Sequence, residues 1–205
     1  LKLLQQNLRT DLEVLKMNQD FYAQVLNQGT KLLEYNRTRE LQGETQWDLL
    51  VASFHASQIW PVILESSTFE ELKSTGDLSI IKNSALRERM VFYYGGGISR
   101  YSQTIGINPP YRKISRMMIP YHVQGYMWNA CHETVGDIQI LKDCEANISE
   151  NETKEILIKM LESEELLGEL NFFMAAIRAG IKPLLEQRKL SEFILQEIEK
   201  SINRK

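Results

Sequence analysis

The sequence predicts an all-α protein, a helical bundle in which long N- and C-terminal helices pack antiparallel. Two observations carry that expectation. Apolar residues recur at three- and four-residue spacing along most of the chain, with short loops between the periodic stretches. No run reads as an alternating strand, and no internal repeat is present. The expected organisation is one domain over 1–205, with a first helix over about 1–41, central helices and loops over about 45–148, and C-terminal helices over about 150–203.

In the first stretch Leu1, Leu4, Leu8, Leu12 and Leu15, then Tyr22, Val25, Leu26, Leu32, Leu33 and Tyr35, mark one long amphipathic helix. Gly29 interrupts it and is read as a bend, because glycine in a helix interior costs about 1 kcal/mol relative to alanine. Trp47, Leu50, Val51 and Phe54 share a face of a second helix from about Thr45 to Gln58, and Pro61 closes it or opens the next turn. Ser67 with Glu70 fits a capping box, and the short helix it opens should end at Gly76, where a left-handed residue is needed.

Asn83 is placed to cap the next helix, whose stripe is Leu86, Met90, Tyr93 or Tyr94, and Ile98. Gly95, Gly96 and Gly97 would cost roughly 2 to 3 kcal/mol inside a helix, so the helix breaks there or something packs on its backbone. Residues 104–114, with Gly106, Pro109 and Pro110, read as a loop, and 114–128 as helix punctuated by Pro120 and Gly125. Ser149 with Glu152 forms a second capping box opening a helix to about Leu161. Helical periodicity continues over 164–179, Gly180 and Pro183 bend or break it, and 184–202 completes the chain.

With 43% apolar and 25% charged residues the composition is that of a folded globular protein, and no apolar run approaches the roughly 18 to 20 residues of a membrane span. A net charge of −3 argues against a nucleic-acid binder. The charge is unevenly spread. Between Arg87 and Trp128 six basic residues (Arg87, Arg89, Arg100, Arg112, Lys113, Arg116) face one acid, Glu88, and the same segment holds six of the eight tyrosines.

That segment is the best ligand-binding candidate, because aromatic rings and guanidinium forks can hold an anionic or planar molecule. Its expected contacts are Tyr94, Arg100, Tyr101, Arg116, Tyr121 and His122. The competing reading has the tyrosines half-buried and the arginines paired with the acidic C-terminal helix.

Catalytic sets are poorly supported. None of His55, His122 or His132 has an acid three positions earlier, so the bundle metal motif is missing, and neither metal nor cofactor is expected. Glu165 and Glu169 share a helix face but read as solvated, and the glycine triplet lacks the lysine of a phosphate loop. Cys131 and Cys144 form no CxxC motif; they pair in an oxidising compartment or remain two buried thiols.

The stretch Ser67-Thr-Phe-Glu-Glu-Leu-Lys-Ser-Thr-Gly-Asp-Leu-Ser-Ile-Ile-Lys-Asn-Ser-Ala-Leu-Arg87, followed by Tyr93-Tyr94, resembles a family of uncharacterised bacterial proteins. Members carry one N-terminal transmembrane helix and then an extracytoplasmic helical domain. The resemblance covers about 28 residues and implies no activity. It implies a membrane anchor before Leu1 and a periplasmic location, which suits the non-Met start and a Cys131 to Cys144 bridge. Within the motif Phe69, Leu72, Leu78 and Ile81 read as apolar plugs, and Arg87 as a side chain whose stem packs while its head pairs with an acid.

The expected function is therefore a non-enzymatic extracytoplasmic domain that senses a ligand or binds a partner, with homodimerisation through the first helix as one mode. The alternative is a small-molecule binder or enzyme using the 87–128 segment.

Overall fold

The computed structural model describes residues 1–97, 108–136 and 138–203. Its helices are α1 (Lys2–Thr38), α2 (Gln46–Ala56), α3 (Ser67–Ser74), α4 (Ser84–Phe92), α5 (Pro110–Met118), α6 (Tyr121–Ala130), α7 (Glu150–Leu161) and α8 (Glu164–Asn203). A 3-10 turn spans Asp77–Ile80, a π-helical turn spans Tyr93–Gly97, and strands β1 (His132–Val135) and β2 (Ile138–Leu141) form an antiparallel hairpin. The fold is an all-α helical bundle in which the two long terminal helices run antiparallel.

Both long helices carry a strict alternation of three and four residues between buried positions. In α1 the seam is Leu4, Leu8, Asp11, Leu15, Asn18, Tyr22, Val25, Gly29 and Leu32. In α8 it is Leu166, Leu170, Phe173, Ile177, Gly180, Leu184, Gln187, Ser191, Ile194 and Ile198. A period of 3.5 residues keeps one stripe facing a partner helix, as in a coiled coil.

Chain packing gathers into two compact units. The first comprises Leu1–Gln19, Pro61–Thr104 and Ala179–Lys205; the second comprises Asp20–Trp60 and Ile105–Arg178. The core of the first holds Leu4 and Leu8 of α1, Phe69, Ile81, Leu86, Met90 and Tyr93 from the middle of the chain, and Ile194 and Ile198 of α8. Its antiparallel register is pinned by Gln5 donating to Glu199 at 3.0 Å and Arg188 donating to Gln19 at 3.3 Å. In the second unit α2 packs on α7, α5 and α6, with Phe54 and Leu50 wholly buried.

α1 runs unbroken through Gly29. Met174 lies so close that a Cβ on Gly29 would overlap its sulfur, so glycine is there for contact with α8. Gly76 sits at φ 78°, Asn83 accepts from the Leu86 amide, and Ser149 accepts from the Glu152 amide, as their spacing predicts.

Several local expectations are corrected. Ser67 does not cap α3. Its amide and hydroxyl both donate to the Glu65 carboxylate, which takes over the helix start from outside. The glycine triplet neither stops the chain nor continues an α-helix but winds through the π-helical turn, a form often found at functional sites.

Residues 110–113, expected as loop, are the start of α5, which runs on into the stretch expected as helix, because Pro110 occupies the first turn, where a missing N–H costs nothing. Pro183 lies inside an unbroken α8, held by the buried seam residues on either side, Gly180 and Leu184. The β1–β2 hairpin is a strand element that the periodicity did not show; Gly136, at φ 59°, serves its tight connection. Arg87 donates to the carbonyls of Ile81 and Lys82, and it pairs with no acid among the described residues.

Candidate functional site

In the second unit, α5 places Arg112 and Arg116 one turn apart on a single face, over the C-terminal end of α2. Arg112 Nη1 donates to the Ser57 carbonyl at 2.7 Å and to Gln58 Oε1 at 3.3 Å. Arg116 Nε donates to Ser57 Oγ at 3.0 Å, and its guanidinium lies 3.6 Å over the centre of the Phe54 ring. The stack on Phe54 fixes the plane of the guanidinium.

Electrostatics sets this pair apart. Burial lowers the pKa of Arg112, and burial together with the adjacent Arg112 charge pushes that of Arg116 down to about 9. Among the described residues no carboxylate forms an ion pair with either arginine. Arg116 Nη2 and Gln58 Nε2 are buried donors without an acceptor among the described residues. Both arginines are only partly buried, whereas the two unpaired nitrogens, Arg116 Nη2 and Gln58 Nε2, are themselves shielded from solvent.

Behind the arginines stands a second layer. His55 Nε2 donates to the Cys131 carbonyl at 2.8 Å, which leaves Nδ1 as the unprotonated nitrogen. Burial pushes the His55 pKa down to about 4, and the His132 and Arg116 charges add to that against the opposing carboxylate of Asp143. His132 stacks on Trp128 at 4.2 Å, and its Nε2 lies 2.6 Å from Gln139 Oε1. Cys131 and Cys144 are joined by a disulfide with Cα atoms 5.0 Å apart, and Trp47 Nε1 donates to the Cys144 carbonyl at 2.8 Å. The bridge closes the base of the hairpin, and the His55 and Trp47 hydrogen bonds to its two cysteines tie that base to α2, whose C-terminal end leads into Ser57 and Gln58.

The residues singled out from sequence are distributed as follows. Arg116 is in the cluster. Tyr121 is 91% exposed on the first turn of α6, and the neighbouring His122 pairs with Glu152 at 3.4 Å. Tyr94 belongs to the first unit, where it stacks on Phe69 at 4.7 Å. Arg100 and Tyr101 lie outside the described residues. Arg112, Gln58 and Ser57 were not anticipated. The signal for Arg112 was its four-residue separation from Arg116, legible only once 110–118 is known to be helix.

A polar cluster in the first unit was also missed. Asp11 accepts from the Tyr93 hydroxyl at 2.9 Å and from the Glu65 amide at 2.7 Å, and Gln187 donates to the Tyr93 carbonyl at 2.9 Å. The cluster fastens the π-helical turn to both long helices. No group of three or more potential metal ligands occurs among the described residues.

Among those residues no helix is long and apolar enough to cross a membrane. Compared with family models, curated proteins and solved structures, the chain has no match.

Proposed function

We propose that the chain is the extracytoplasmic, periplasmic domain of a membrane-anchored bacterial protein, and that it senses a small-molecule ligand without chemical turnover. The observation that carries the reading is the Arg112 and Arg116 pair, two partly buried cations with no acidic partner among the described residues. Burying charge without a counter-charge costs several kcal/mol, a cost that a bound ligand offsets. The pair lies within the basic, tyrosine-rich segment, so the same observation supports the small-molecule alternative over a purely structural spacer. The disulfide supports the oxidising compartment, since such bridges are rare where thiols are kept reduced.

A thermal-shift screen of the domain against anions, nucleotides, amino acids and lipid headgroups tests ligand sensing, because a ligand of the native state raises Tm by mass action. A saturable hit is expected; a flat panel would leave partner binding as the remaining function. Location is tested separately by alkylating thiols in living cells. Cys131 and Cys144 should resist the reagent, and finding both free would remove the periplasmic assignment.

A further inference from the structure

We infer that Arg112, Arg116 and the Gln58 amide form a seat for the carboxylate or phosphate head of a small solute. The inference rests on the ligand-sensing reading and adds the chemistry of the ligand. Each group in the cluster has one end committed to the protein and another left over. Gln58 turns its carbonyl oxygen to Arg112, which leaves its amide nitrogen, on a residue only 2% exposed, with no acceptor among the described residues. Arg116 commits Nε to Ser57 Oγ and its face to Phe54, which leaves Nη2 without one.

These spare groups are all donors, and both guanidiniums carry positive charge. The complement of such a set is an oxyanion, which accepts several N–H bonds through a guanidinium fork.

A structural role explains only part of this. The C-terminal end of α2 carries partial negative charge, and Arg112 at the Ser57 carbonyl answers it. That half-charge does not balance two guanidiniums, and it gives Arg116 Nη2 and Gln58 Nε2 nothing to bond. Asp143 acts on His55, behind the pair, and neither arginine feels a carboxylate among its principal neighbours.

The test is a melting series in inorganic phosphate, sulfate and acetate against chloride at equal ionic strength, followed by calorimetric titration with the best of them. Wild type should show a saturable rise in Tm with at least one oxyanion. The apparent Kd should weaken tenfold or more in Arg116→Met, whose stem still covers Phe54, and in Gln58→Leu. Sulfate and phosphate also stabilise proteins without binding, but that effect does not saturate and would persist in the variants.

Without ligand, Arg116→Met should melt no lower than wild type, since it removes an uncompensated charge. If Arg116→Met fails to fold, Arg112→Gln, which retains a donor for Ser57, takes its place. Equal Tm in oxyanions and chloride, or a response kept in the variants, overturns the seat. Hits confined to neutral or cationic compounds overturn the seat but leave ligand sensing standing, whereas a screen with no hit at all removes both.

Discussion

The Tyr93 hydroxyl donates a 2.9 Å hydrogen bond to Asp11 Oδ2, and neither side chain reaches solvent. Despite that bond and a second one from the Glu65 amide, burial dominates and pushes the Asp11 pKa up to about 6. The nearby Glu65 carboxylate adds to the rise, while the Tyr93 and Tyr94 hydroxyls oppose it.

The folded state therefore holds the Asp11 proton more tightly than the unfolded chain does. Stability from this group is present below about pH 4 and is lost as pH rises through about 6. Asp11→Asn should stabilise the protein at pH 8, by up to about 3 kcal/mol. Urea denaturation at pH 8 and pH 4 checks this: the gain should be absent at pH 4, and a variant less stable than wild type at pH 8 would refute the assignment.

His55 runs the opposite way. Its pKa, down at about 4, lies below the unfolded value, so its contribution is present above about pH 6.5 and is lost as pH falls towards 4. His55→Gln keeps a donor for the Cys131 carbonyl without the titration. Its Tm should fall less than that of wild type between pH 6.5 and 4, while Asp11→Asn should fall more. Melting curves of the three proteins across that window decide the matter, and parallel curves would count against both groups.

Gly29 and Gly168 make a matched pair of helix glycines. A Cβ at Gly29 would overlap Met174 Sδ and stand 2.8 Å from its Cγ, and Met174 is itself buried, whereas a Cβ at Gly168 would meet nothing within 4 Å. Gly29→Ala should cost about 1 to 3 kcal/mol through overpacking. Gly168→Ala should gain roughly 0.5 to 1 kcal/mol. Chemical denaturation of both variants tests the close approach of α1 and α8 within the second unit, and Met174→Ala should recover part of the Gly29→Ala loss.

Removing the disulfide should cost roughly 3 kcal/mol, as expected for a closed loop of this length. Cys131→Ala/Cys144→Ala should therefore lower Tm and make it insensitive to dithiothreitol, which should lower the Tm of wild type. Because the Cys131 and Cys144 carbonyls accept from His55 and Trp47, the variant should also show altered tryptophan fluorescence.

Helix periodicity, the Asn83 and Ser149 caps and the left-handed Gly76 were legible in the sequence, because each depends on backbone geometry within a few residues. The same local rules misplaced 110–113 as loop, although 114–118 was read as helix. A proline pair reads as a loop breaker unless the second proline falls in the first turn of a helix. That one misreading hid the four-residue relation of Arg112 to Arg116, and with it half of the candidate site.

Asp11 and Asn18 were passed over for another reason. The apolar list for α1 skips both, yet the three-and-four alternation runs through them, and burial shows that they belong to the seam.

By itself, then, the sequence determined that this chain is helical, which residues start and end several helices, and that its basic and aromatic residues concentrate in one segment. Only the tertiary structure decided that Cys131 meets Cys144, that Asp11 lies against Tyr93, and that Arg112 and Arg116 stand together with no paired carboxylate among the described residues. Helix spacing and caps are settled by neighbours along the backbone. A charge left uncompensated is a property of everything that packs around it, drawn from residues far apart in the chain.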